Sequence, residues 1–277
     1  MNGGVLRVGP RTAVTLAVAS LFGVMAFTWP FFVSPGSVVS ASSVAPFLFG
    51  GALLLTLTVV LSEMADGGID AKALALLGVL SALGAAVRPL SAGTAGVELI
   101  FFLLVLAGRA YGPGFGFVLG CTTLFASALI TAGVGPWMPY QMLGCAWVGL
   151  GAGLLPRASG RREIAMLVVY GAVCAFFYGF MINLSFWPFA VAPATHISYV
   201  PGASFATNLQ HYLVFDVTTS LGWDTGRAVT NALLLLVAGR PVLNALRRAG
   251  RRATFNVPAR FAPGVALPPA AHSRPPA

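Results

Sequence analysis

VELIFFLLVLAGRAYGPGFGFVLGCTTLFASALITAGVGPWMPYQMLGCAWVGLGAGLLP, running from Val97 to Pro156, decides the fold. Three apolar runs follow one another in it, separated only by the tight breaks Arg109–Pro113 and Gly133–Pro139. None carries the polar stripe that a helix facing water would need. Gly112, Gly116 and Gly120 fall four apart, as do Gly149 and Gly153. On a helix that spacing clears one stripe to the backbone, so a neighbouring helix can approach closely in lipid.

Composition extends this reading to the whole chain. The 277 residues are 57% hydrophobic and only 8% charged, against roughly a quarter charged in soluble domains. With a mean hydropathy of +0.87, the sequence describes an integral membrane protein. The net charge of +9 is almost wholly arginine, Lys72 being the one lysine. These cations sit at the ends of apolar runs, as membrane orientation requires, and not on a folded basic face of the kind that binds nucleic acid. Cys121, Cys145 and Cys174 lie inside apolar segments, spaced for neither a metal site nor a disulfide framework.

Outward from the central stretch, the runs number eight. Thr12–Phe32 is too long for a signal-peptide core and has no small-residue cleavage site after it, so it reads as an anchor. Val44–Ser62 follows, then the polar patch Glu63–Lys72, a module boundary. The remaining runs are Ala73–Val87, Glu98–Gly108, Gly114–Ala132, Tyr140–Leu155, Ile164–Leu184 and Asn208–Val237. The fourth is short against the about twenty residues that a bilayer demands. Ser185–Thr207 reads as a long aromatic loop. The last run exceeds the hydrocarbon thickness, and it is expected either to project as a cap or to break near Gly222.

The expected fold is therefore an all-α, polytopic transmembrane helical bundle of about eight spans. It divides into an N-terminal two-helix membrane extension (1–70), a six-helix membrane core (71–248) and a basic, Pro/Ala-rich tail (249–277). Eight spans put both termini on one side, and with that side cytoplasmic every Lys and Arg except Arg88 and Arg227 is cytoplasmic. Seven spans remain the alternative.

The chemistry-bearing residues are few. There are seven carboxylates, and the lone lysine lacks the preceding glycine of a phosphate-binding loop. Neither the Gly-x-Ser-Gly setting of an intramembrane serine protease nor the aspartate clusters of metal-dependent lipid transferases are found, so no enzyme is expected. Polar residues gather on one predicted outer face: Arg88 and Glu98; Trp137, Tyr140 and Gln141; Asn183 and Trp187; His196; and Asn208, Gln210, His211, Tyr212 and Asp216. Ionisable groups at that depth are expensive, and aromatics with a few convergent polar groups suit a small-molecule pocket. Asp224 and Arg227, three apart on the last helix, are expected to neutralise each other, with Asn231 continuing their stripe.

Phe101–Pro156 resembles the substrate-binding S component of energy-coupling factor (ECF) transporters. The resemblance rests on AGRAYGPGFGFVLG (Ala107–Gly120), the outer turn GVGPWMPYQ (Gly133–Gln141) and the helix ending GLGAGLLP (Gly149–Pro156). It implies a six-helix core from Ala71 to about Arg248, with the first two runs an addition. Where the family often has an aspartate, this chain has Cys121, Thr122 and Thr123. The resemblance further implies a docking stripe on the first core helix (Ala71, Ala75, Gly78, Ala82, Ala86) and a pocket lid over Arg88–Gly96. The implied partners are a vitamin-like solute, a transmembrane coupling protein and two cytoplasmic ATPases. A corrinoid such as cobalamin suits the large aromatic outer loop. Neither a resident cofactor nor a dedicated metal site is expected. The alternative is a proton-coupled secondary transporter relaying through Asp216 or Asp224.

Overall fold

The computed structural model describes residues 9–32, 71–91, 96–190 and 195–254, together with 50, 51, 54, 58, 59 and 62. Among these residues all regular structure is helical. The helices are α1 (Pro10–Thr28), α2 (Ala71–Ser91), α3 (Ile100–Tyr111), α4 (Pro113–Ile130), α5 (Met138–Leu154), α6 (Gly160–Ala190) and α7 (Phe205–Thr254), with a short 3-10 turn at Trp29–Phe31. Five of them, counting α1 with its 3-10 turn, are long and apolar enough to cross a membrane. Their outer faces stay apolar, with Val18 and Leu21 on α1, Val169 and Val173 on α6, and Val229 and Leu233 on α7 exposed. The chain reads as a multi-pass membrane protein. The predicted second run, Val44–Ser62, and the patch after it lie almost wholly outside the described residues.

From α2 onward the helices alternate in direction between two ends, and α1 runs the same way as α2. At one end Arg109, Leu155, Glu163 and Arg247 meet, from the termini of α3, α5, α6 and α7. At the other, Arg88 of α2 meets Ser127 of α4 and Gln141 of α5, and Trp29 after α1 stacks on Phe189 of α6 at 6.0 Å. The first is the basic end, carrying Arg157, Arg161 and Arg162 in addition; the second is the aromatic end.

The glycine spacing does what it predicts. A Cβ on Gly149 would lie 2.2 Å from the Gly116 carbonyl oxygen, one on Gly120 2.4 Å from Ala146 N, and one on Gly153 2.4 Å from Pro113 N. The α4 and α5 backbones are thus in contact, and Gly108 of α3 joins the same seam against Gly149. Between α3 and α4 the chain turns at Gly112, whose φ of 102° belongs to glycine. Pro113 then supplies the first residue of α4.

Several expected boundaries move. α2 continues through Arg88 and Pro89 to Ser91, so Arg88 belongs to a helix and not to a loop; residues 92–95 of the expected lid lie outside the described residues. α6 continues to Ala190, which shortens the long outer loop. α7 does not break at Gly222: it is one helix of 50 residues, passing through the expected 248/249 boundary to Thr254. Its last turns do not drift free, because Tyr111 donates a hydrogen bond to the Leu246 carbonyl at 2.6 Å and Leu243 and Leu246 are buried. The fourth run is short, as its length predicts: α3 has 12 residues, about 18 Å. Starting from the basic end, it reaches only partway through the bundle. α1 packs on the core, with Phe27 edge-on to Tyr140 at 5.0 Å and Trp147 donating to Ser20 at 3.3 Å.

Candidate functional site

Because α3 is half-length, the segment before it descends into the bundle. Gly96, at φ +78°, lies so close to α7 that a Cβ there would be 2.1 Å from the Trp223 carbonyl oxygen. Two residues later Glu98 meets Arg227, whose Nε donates to Glu98 Oε2 at 2.7 Å. One Arg227 amine nitrogen also donates to Asp224 at 2.6 Å and to the Ala175 carbonyl at 3.1 Å. Ala175 is at the middle of α6. The guanidinium lies over the rings of Tyr178 and Phe101, 5.1 Å and 5.7 Å from their centroids, a cation–π arrangement that lowers the cost of a buried charge. Ser220 donates to the second Asp224 oxygen at 2.8 Å. Gly179 makes this possible, since a Cβ there would stand 2.0 Å from an Asp224 carboxylate oxygen. Asn231 donates to the Arg227 carbonyl, and its own Oδ1, wholly buried, has no hydrogen-bond partner among the described residues.

Nearer the aromatic end, the sequence-predicted residues fall into two groups. On one side Arg88 donates to Gln141 Oε1 at 3.1 Å and to Ser127 at 3.4 Å. On the other, Asn183 donates to Asp216 Oδ1 at 2.7 Å. Tyr212, also in this second group, is fully buried and donates to the Phe180 carbonyl. Trp187 is fully buried 5.2 Å from the Tyr212 ring, and its indole donates to the Ile197 carbonyl at 2.7 Å. Tyr140 packs on α1 instead, while Trp137 is half exposed and Gln210 exposed, both away from these contacts.

The segment 195–204 closes over the second group. Asn208 bonds both the N–H and the carbonyl of Val200 at 3.0 Å, and His211 Nδ1 lies 2.8 Å from the Ser198 carbonyl. Both residues therefore tie the segment to the start of α7, and His196 is exposed. Within this cap, burial raises the Tyr199 phenol above its ordinary value. No protein-family model matches the chain, and neither a curated protein nor a solved structure matches it.

The expected pairing of Asp224 with Arg227 is present at three-residue spacing. Glu98 is the member that linear reasoning placed elsewhere, in a shared outer-face pocket; a loop residue's partner across the bundle has no signal in local spacing. The second ionic centre, Glu163 held by Arg109 at 2.7 Å and Arg247 at 2.6 Å, also joins residues far apart in sequence. On α2, Ala75, Gly78, Ala82 and Ala86 share one exposed face, and a Cβ on Gly78 would meet nothing within 4 Å. Ala71 begins that helix. As a chemical arrangement, the site offers hydrogen-bonding groups, carboxylates and guanidinia around the half-length helix, under an aromatic cap.

Proposed function

We propose that the protein is a solute-capture component of an ECF-type uptake system in the cell membrane, with about eight spans and both termini in the cytoplasm. The observation that carries this reading is the set of polar side chains between the aromatic end and the start of α3, in a bundle otherwise packed with apolar groups. Charges held that deep cost several kcal/mol unless they are paired or hydrogen-bonded, so where they persist they point to a site. The half-length α3 begins inside the bundle, and its N-terminus turns a partial positive charge toward the aromatic end. Arg88, Gln141, Asn183 and Asp216 provide polar contacts, with Trp187 and Tyr212 as the apolar wall. The exposed stripe of Ala75, Gly78, Ala82 and Ala86 supports close docking on a transmembrane coupling protein. A vitamin-sized solute is the expected ligand, and cobalamin the first to test.

One observation favours a second reading. Asp216 and Asp224 line the same membrane-facing cleft, as a proton relay would require, so a secondary transporter is the alternative. Mild-detergent purification from the native membrane separates the two. Two ATPases and a polytopic coupling protein in the eluate are expected. Purified chain alone accumulating solute in liposomes, in an uncoupler-sensitive way, would overturn the capture reading.

A further inference from the structure

Across a cleft of about 330 Å³ between α6 and α7, Phe176, Phe177 and Phe180 face Val217 and Leu221, and Val173, Asp216 and Asp224 complete the lining. The cleft opens sideways and not toward the aromatic end. Phe176 and Phe177 are 40% and 45% exposed, and Val217 and Leu221 57% and 52%. These residues belong to the apolar surface that faces hydrocarbon, so whatever occupies the cleft arrives from the bilayer.

Among the described residues, three carboxylates gather here around one guanidinium. Asp224 accepts from Ser220 and Arg227, but Arg227 also holds Glu98. Asp216 accepts from Asn183, a neutral amide. Among the described residues Arg227 is the one guanidinium here, and it bonds Glu98 and Asp224 but not Asp216. Negative charge on a wall that faces lipid is costly, and a positive charge supplied from outside relieves it.

The rest of the lining is apolar and aromatic. Phenyl faces attract a cation that has shed its water, and a cleft of this size lies within the range of small-ligand sites. A hydrated metal ion would not partition to such a place, and no group of three His, Cys, Asp or Glu side chains suited to a metal is found among the described residues. We propose that this cleft binds a lipophilic organic cation, with its positive centre against Asp216 and its apolar groups against Phe176, Phe177 and Phe180. The cleft shares Asp216 with the solute-capture reading, but it is lined by exposed residues of α6 and α7 and its occupation needs no coupling protein.

The test uses the full chain in nanodiscs of uncharged phosphatidylcholine. Labelled benzyltrimethylammonium is the probe, and neopentylbenzene, its neutral carbon isostere, the competitor. Saturable binding of one probe per chain is expected, undisplaced by the isostere. Loss of the charge in Asp216→Asn should weaken it about tenfold or more, and Val217→Trp, which fills the mouth from an exposed position, should abolish it. Should Asp216→Asn fail to fold, Val217→Trp decides alone. Absence of saturable binding, equal affinity in a folded variant, or displacement by neopentylbenzene would each overturn the proposal; the last would make the cleft an acyl-chain groove.

Discussion

Arg227 and Glu98 are 129 positions apart in sequence and 2.7 Å apart in the structure. Their bond ties the longest helix to the segment that precedes the shortest one. Arg227 also holds Asp224 and the Ala175 carbonyl, so one guanidinium joins α6, α7 and the entrance to α3. Its side chain is 13% exposed, that of Glu98 18% and that of Asp224 4%.

Removing Arg227 should therefore cost more than the pair contributes. Arg227→Met strands two carboxylates with no cation, and breaking a buried pair in this way typically costs about 3–5 kcal/mol. Thermal unfolding in mild detergent measures the loss. Adding Glu98→Gln to Arg227→Met should recover part of it, because one stranded charge is then gone. Equal melting of the single and double variants would contradict the shared network.

The α4–α5 seam makes a separate prediction. At Gly149 an added Cβ meets the Gly116 backbone at 2.2 Å and 2.9 Å, and backbone has nowhere to rotate. Gly149→Ala should force the helices apart and destabilise the protein by about 1–3 kcal/mol, the usual cost of overpacking. Gly78→Ala on α2 is the control. Its Cβ meets nothing within 4 Å, so it should leave the melting temperature unchanged or raise it slightly.

These two cases show what the sequence makes legible. Four-residue glycine spacing is a local signal, so a close helix approach at Gly116 and at Gly149 is readable from the linear chain, but that the two meet each other is not. The Asp224–Arg227 pair is readable too, because three residues bring side chains onto one helix face. Glu98 is different: its partner depends on how far α3 falls short of the membrane thickness, a property of the folded bundle. Length against bilayer thickness leaves two outcomes open at Gly222, a projecting helix or a break, and the helix is continuous. The excess is absorbed by a continuous helix whose last turns pack on Tyr111, not by a break.

Glu163 tests whether the basic end is held by one carboxylate. It is 4% exposed between Arg109, 9% exposed, and Arg247, 31% exposed. Glu163→Gln leaves two guanidinia side by side without a counter-charge. The expected loss is about 3 kcal/mol, at the lower end for a broken buried pair, because Arg247 can turn toward water. Protease protection of α7's last turns should fall with it. Unchanged protection would mean that the Tyr111–Leu246 contact holds these turns unaided.

Continuity of α7 predicts the sign of a substitution at Gly222. The residue lies inside a 50-residue helix, and an added Cβ would meet nothing within 4 Å. Alanine should then stabilise the protein by up to about 1 kcal/mol, the difference in helix propensity. A break there would need glycine's freedom, and alanine would destabilise instead. The melting shift of Gly222→Ala separates these outcomes by its sign alone.

The exposed stripe on α2 separates folding from partnership. Ala75, Gly78, Ala82 and Ala86 are all exposed, so a bulky side chain at Gly78 disturbs nothing among the described residues of the chain itself. If a coupling protein docks there, however, Gly78→Leu removes the close helix approach that small residues permit. The melting temperature should hold, while the ATPases recovered by mild-detergent purification should fall about tenfold, equivalent to about 1.4 kcal/mol of lost affinity. Full recovery of the ATPases with Gly78→Leu would move the docking surface off α2. A lowered melting temperature would instead show that the stripe is covered within the chain, and the outward face of α2 would no longer support a partner.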